Sequence, residues 1–264
     1  MSKTIDEFLD QTLQEDFKSL NNVHRSMANV VRRVKTAGDG GNLEALQQAL
    51  ARYEELLYRQ QETLHGLLEK LPSFNLQVYL QEAFHRDFMD ALAAENLAVE
   101  AEYPVYEVLP FKVRALPEKE MVTIDDRVYR NLRPGILAGH LKKSIDRLNA
   151  ASFDTQRFLQ SLETAYDTEM AKNIAKTKID VSEQEVLLKD IYNTLTPLAR
   201  QRRDYPAQLF AFDLHRVLKS GRLNAPDGRR LWLGNVRNNR QALVVLDAQD
   251  QPQRFGVMKF YKEG

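Results

Sequence analysis

The stretch that decides the fold is LEALQQALARYEELLYRQQETLHGLLEKL, residues 43–71. Its seam positions recur at alternating spacings of three and four residues, as the a and d positions of a coiled coil do. The segment is therefore predicted to be one long amphipathic helix with a single polar member, Gln60, in its seam. That seam consists of Leu43, Leu46, Leu50, Tyr53, Leu57, Gln60, Leu64, Leu67 and Leu71.

A second helix with the same spacing precedes it. The upstream positions Leu20, Val23, Met27, Val30 and Val34 repeat the pattern, and GDGG at 38–41 separates the two segments. Glycine carries the largest helix penalty short of proline, so the chain is expected to turn there. Residues 1–72 are predicted to form an antiparallel helical, coiled-coil hairpin or part of a small bundle.

The central region, residues 73–179, is predicted to be α+β. Four-residue apolar spacing indicates a helix over 75–96, and alternation indicates strands over 99–115 and 120–124 joined as a β-hairpin. Two further helices are expected, one from Pro134 to Leu148 and one from about Asp154 to Lys172.

One carboxylate interrupts the alternating strand. In VEAEYPVYEVLPFKVRA (99–115), Glu107 falls on an otherwise apolar face if the strand is regular. Pro104 and Pro110 lack the N–H that a strand interior needs, and they favour a bend or bulge between them. Glu107 is therefore interpreted as a marker of a bend, with a buried ion pair or a catalytic acid as alternatives.

Residues 180–264 are predicted to form a basic, winged-helix-like module of two helices and three strands. A capping-box sequence at Ser182–Glu185 favours a helix to about Leu198, and Pro206 favours a second helix that Gly221 ends. The strands are expected at Arg230–Val236, Ala242–Leu246 and Phe255–Tyr261. The whole chain is thus expected to be mostly α with small β elements.

Composition limits the compartment and the chemistry. The chain has 264 residues, 43% hydrophobic and 28% charged, which is enough to bury a core, and it has no cysteine. The absence of cysteine excludes disulfides and thiolate chemistry and fits a reducing compartment. The N-terminus lacks an uninterrupted apolar h-region, and no apolar run approaches the roughly 20 residues of a membrane span. A cytoplasmic protein is expected.

The C-terminal segment is strongly basic. Residues 200–264 contain 13 Lys and Arg against 6 Asp and Glu, although the whole chain is formally neutral. Clustered cations of this kind attract phosphate backbones or an acidic partner. The candidate nucleic-acid-binding residues are Arg202, Arg203, Arg216, Lys219, Arg222, Arg229, Arg230, Arg237 and Arg240.

No catalytic template fits well. No two of the five histidines have the spacing of a helical ligand pair, and neither a metal nor a cofactor is expected. A metal-dependent nuclease on the middle β-hairpin is the alternative, with Glu102, Glu107, Asp125 and Asp126 near Lys112. Its spacing is unfavourable, because Glu107 and Lys112 would face opposite ways on a regular strand.

The function expected from the sequence is that of a non-enzymatic adaptor subunit of a larger assembly. The hairpin would bind itself or other protein subunits, and the basic module would contact nucleic acid, most simply DNA. A scaffold without nucleic-acid contact is a further alternative.

Overall fold

The chain is mostly helical with small antiparallel sheets, which confirms the α+β class. The structure, a computed structural model, describes residues 4–177, 184–236 and 242–262. Two compact units are present: the first comprises the described residues up to Asp87 with Pro117–Glu120, and the second comprises Phe88–Leu116 and the described residues from Met121 onward.

The first unit is built on a pair of long helices. A short helix α1 (Ile5–Glu7) and a π-helical turn lead into α2 (Gln14–Asp39), and α3 (Leu43–Lys70) follows. Helix α2 continues through Gly38 and ends at Asp39. Gly40 follows it, and the Asn42 side chain at the start of α3 accepts a hydrogen bond from the Ala45 N–H. Lys70 at the end of α3 pairs with Asp16 at the start of α2, so the two helices are antiparallel, as predicted.

The helix predicted over 75–96 is two helices. These are α4 (Leu76–Glu82) and α5 (Phe84–Ala94), and they are separated at Ala83, whose φ of −116° departs from helical geometry. Asn75 caps α4 by accepting from the Val78 N–H. The apolar residues keep their four-residue spacing on both sides of Ala83. The spacing therefore does not reveal that the helix is interrupted at this one residue.

The strand predicted over 99–115 is three strands of a five-stranded antiparallel meander. The chain turns at Tyr103–Pro104 and again at Leu109–Pro110, so the prolines end strands. Tyr106 and Val108 are buried while Glu107 is half-buried, so Glu107 is not on the buried face of its strand. The strand between the two prolines is regular, and the expected bend or bulge is replaced by turns at the prolines themselves. The strands in order are β1 (Glu100–Glu102), β2 (Val105–Val108), β3 (Phe111–Leu116), β4 (Met121–Ile124) and β5 (Arg127–Tyr129).

The two helices predicted after the meander are confirmed. Helix α6 (Pro134–Ala150) opens on a proline whose missing N–H costs nothing there. Helix α7 (Thr155–Thr177) is capped by Asp154, which accepts from the Arg157 N–H at 3.0 Å.

The C-terminal region differs from a helix–helix–three-strand module. Ser182 lies outside the described residues, and the first helix begins at Leu188 because Val186 and Leu187 pair as a strand with residues 257–258. Gly221 ends the predicted second helix with a left-handed φ of +67°, as expected. The elements are β6 (Val186–Leu187), α8 (Leu188–Leu195), α9 (Ala199–Asp204), α10 (Ala207–Ser220), β7 (Arg230–Gly234), β8 (Leu243–Leu246), β9 (Pro252–Phe255) and β10 (Val257–Tyr261).

These strands form two small sheets, one in the order β6–β10–β7 and one of β8 with β9. A winged-helix arrangement is therefore not confirmed, because β7 pairs with β10 and β8 pairs with β9. The apolar helix α10 is a core helix: Phe210, Leu214 and Val217 are fully buried against α7 and the strands.

Candidate functional site

A row of exposed leucines follows α3 from end to end. The leucines recur every seven residues, and each is 40% exposed or more. They are Leu43 (75%), Leu50 (50%), Leu57 (40%), Leu64 (48%) and Leu71 (50%). We call these five residues the leucine stripe. Burying the exposed half of one leucine contributes about 1 kcal/mol, so the stripe is a surface that gains free energy when another apolar surface covers it.

The stripe is free because the hairpin packs through a neighbouring face of α3. The buried contacts are made by Val23, Met27 and Val30 of α2 against Ala49 and Leu56 of α3. Ala49 and Leu56 each precede a stripe leucine by one residue, which is about 100° around a helix. The predicted seam is therefore divided between two faces. The leucine stripe points away from α2, whereas the seam residue Tyr53 packs against the contact between the two helices.

Four further exposed residues complete a heptad pattern with the stripe. Each of them lies four residues after one leucine of the stripe and three residues before the next. They are Gln47, Glu54, Gln61 and Leu68. Taking the leucines as d positions makes these four the a positions of a second seam. Glu54 is the charged residue of that seam, and Leu68 is 56% exposed.

Arg229 of the basic module is held within the fold rather than presented to solvent. Its guanidinium lies 2.8 and 2.9 Å from the Asp167 carboxylate and 3.2 Å from Glu163 Oε1, and it also bonds to Asp227. The Arg229 side chain is only 20% exposed. This residue joins α7 to the chain that leads into β7.

Three more of the nine basic candidates are bonded inside the chain. Arg216 donates to the Ala151 carbonyl at 2.7 Å and lies 4.2 Å from the centroid of the Phe153 ring. Lys219 donates to both carboxylate oxygens of Asp250. Arg202 donates to a backbone carbonyl at 2.8 Å. The basic surplus is thus partly neutralised by the protein itself.

The remaining candidates are spread over separate elements. Arg203 on α9 has a 78% exposed side chain and lies 3.8 Å from Asp204. Arg222 is exposed after α10, and Arg230 begins β7. Arg237 and Arg240 lie outside the described residues.

Sequence reasoning missed an aromatic component beside Arg230. Trp232, Lys259 and Tyr261 share the outward face of β7 and β10 with it, since Lys259 faces Trp232 and Tyr261 faces Arg230 across the ladder. The signal that could have found them is the alternation of R-L-W-L-G and V-M-K-F-Y. We call Arg230, Trp232, Lys259 and Tyr261 the sheet-face cluster.

The acid pair beside Arg229 holds one proton. Burial and the neighbouring Asp227 carboxylate raise the pKa of Glu163 to about 7, against the opposing effect of Arg229. Burial acts to raise the pKa of Asp227, but hydrogen bonds from Glu163 and Arg229 outweigh it and lower that pKa to about 2. Protonated Glu163 therefore serves as a donor to ionised Asp227.

The pH dependence of stability follows from the raised pKa of Glu163. The folded chain keeps this proton up to about pH 7, whereas the unfolded chain releases it near the ordinary value of 4.5. Stability contributed by Glu163 is therefore expected to fall as pH rises from 4.5 to 7. The difference in unfolding free energy between the native chain and Glu163→Gln, measured in urea at several pH values, should change across this window. A pH-independent difference would contradict the assignment.

The acids of the meander do not assemble a metal centre. Glu107 and Lys112 face each other on β2 and β3, not opposite ways on one strand, and Glu107 Oε1 lies 3.9 Å from Lys112 Nζ. Asp125 accepts from the Lys112 backbone N–H at 2.9 Å. Among the described residues, no group of three or more His, Asp or Glu side chains is placed to hold a metal ion.

No protein-family model, curated protein or solved structure matches the chain. None of the helices in the described part of the chain has the length and apolar character of a membrane span.

Proposed function

We propose that the chain is a self-associating adaptor subunit of a larger assembly. The leucine stripe of one copy binds the same surface of a second copy, and the basic C-terminal region contacts nucleic acid. The observation that carries the proposal is the row of five leucines left exposed at seven-residue intervals. A chain without cysteine suits a cytoplasmic assembly.

A second copy is the proposed occupant because the stripe has the pattern of half a two-stranded coiled coil. Strict seven-residue spacing matches another helix of the same spacing once the pair supercoils. With 28 residues, α3 offers a contact about 42 Å long. An identical helix supplies the required length and leucine periodicity.

The seam charges favour an antiparallel pair. In a parallel pair, Glu54 of one copy would lie beside Glu54 of the other within an apolar seam, which is unfavourable. In the antiparallel register that sets Leu50 opposite Leu68, Glu54 lies opposite Leu64, and the two Glu54 side chains are about 15 Å apart. Every layer of that register contains a leucine.

The dimer is expected to be of moderate affinity. Gln47, Glu54 and Gln61 occupy seam positions that are apolar in the most stable coiled coils. We therefore expect a dissociation constant of roughly micromolar order. Sedimentation of the full chain from well below to well above that concentration should show a mass rising from 30.5 kDa to twice that value. A mass that stays at one chain throughout would contradict the proposal.

The nucleic-acid half of the proposal is supported by the surplus of 13 cations over 6 acids in residues 200–264. Because Arg216 and Arg229 are bonded within the fold, the contact is assigned to other cations of residues 200–264. Binding that depends on phosphate contacts is expected to weaken steeply as salt is raised. The nuclease alternative has no such supporting observation.

A further inference from the structure

The sheet-face cluster is produced by strict alternation on two paired strands. The inward-facing residues are almost fully buried: Leu231 is 3% exposed, and Met258 and Phe260 are 0% exposed. The residues that alternate with them therefore point to the other face of the sheet. That outward face carries two cations and two aromatic rings, and the sequence places no carboxylate at these positions of β7 and β10. The cluster therefore combines positive charge with aromatic surface and contains no negative charge.

Lys259 of the cluster lies close to both aromatic rings. Lys259 Nζ lies 5.1 Å from the Trp232 ring centroid and 5.8 Å from that of Tyr261. Gly234 lets the indole ring lie across its own strand, because a Cβ at that position would come within 2.1 Å of the ring. Trp232 is nevertheless 38% exposed, so an aromatic surface remains open beside a cation.

From this geometry we infer that the outer face of β7 and β10 binds single-stranded nucleic acid. The inference rests on the nucleic-acid half of the proposed function and gives it a location. Unpaired bases stack on exposed aromatic rings, and the adjacent Lys259 and Arg230 attract the phosphates that link those bases. Duplex bases are already stacked and paired, so rings on a sheet face favour single strands.

Trp232 gives a direct readout because it is the only tryptophan of the chain. Titrating the full-length protein with an oligothymidine or an oligouridine of about 20 nucleotides should quench its fluorescence, through stacking of a base on the indole. The quenching should require higher oligonucleotide concentrations as salt is raised. The two oligonucleotides distinguish DNA from RNA as the source of the strand.

A charge-matched pair of variants tests the location. Lys259→Gln with Tyr261→Leu should weaken binding of a fluorescently labelled oligonucleotide at least tenfold by anisotropy. The control, Arg200→Gln, removes the same single charge at a side chain that is 82% exposed on α9 and should change binding less than threefold. If the Lys259→Gln/Tyr261→Leu variant does not fold, quenching of Trp232 fluorescence in the native chain still tests the location.

Four results would overturn the inference in different ways. Oligonucleotide binding without Trp232 quenching, or binding lost in the α9 variant alone, would leave nucleic-acid contact in place but remove it from this face. Duplex binding as tight as single-strand binding would remove the strand preference. No binding of either oligonucleotide, including the case in which only an acidic protein binds, would overturn both the inference and the nucleic-acid half of the proposed function.

Discussion

Replacing Arg229 with Met is expected to lower the free energy of unfolding by about 2 kcal/mol, because it removes a largely buried cation together with its hydrogen bonds to three acids. Glu163, Asp167 and Asp227 all bond to this guanidinium. Glu163 is 9% exposed, so water cannot replace the lost partner easily. Methionine keeps the length of the side chain, and the effect therefore reports the charge and its hydrogen bonds.

Urea unfolding, followed by circular dichroism, measures this loss. Arg203→Met serves as the control, since its side chain is 78% exposed and its change should stay within about 0.5 kcal/mol. Equal effects of the Arg229 and Arg203 substitutions would show that the network contributes little.

Replacing Leu50 and Leu64 with Gln is expected to raise the dimer dissociation constant about 1,000-fold, because each substitution occurs in both copies and each lost leucine contributes about 1 kcal/mol. The two leucines are 50% and 48% exposed in the single chain, so the hairpin should keep its fold. Sedimentation at matched concentrations measures the change, and circular dichroism checks that helix content is retained.

The matched control carries Ile136→Gln and Leu198→Gln. These residues are 54% and 63% exposed, and both lie outside the hairpin. Removing a similar exposed apolar area there should leave the dissociation constant within about threefold of the native value. If the control weakens the dimer as much as the stripe variant does, association depends on general hydrophobicity and not on α3.

Local chemistry made some elements predictable from the sequence. Pro134, Asp154 and Gly221 each act within one turn of their own helix, and each begins, caps or ends it as predicted. Pro104 and Pro110 indicated a broken strand, but a pattern of alternation does not say whether the break is a bend or a complete turn. The structure has turns at both positions.

The candidate surfaces depended on contacts that periodicity does not specify. Helix α3 carries two apolar faces displaced by one residue, and the one containing Ala49 packs on α2 because a small side chain admits a close helix. The charge count likewise treated Arg229 as available, although its acids lie at positions 163, 167 and 227. Asp167 and Glu163 are 62 and 66 residues from Arg229 along the chain, so the sequence alone does not show that they contact it.

Cross-linking between introduced cysteines tests the antiparallel stripe dimer most directly, and the native chain has no cysteine to interfere. A mixture of Leu50→Cys chains and size-tagged Leu68→Cys chains, treated with a short bis-maleimide, should give a mixed cross-linked dimer. Leu50→Cys alone should remain uncross-linked, because its two copies of position 50 are about 27 Å apart in the proposed register. The account would be contradicted if Leu50→Cys chains alone cross-linked efficiently and the mixture gave no more mixed dimer than this self-reaction explains.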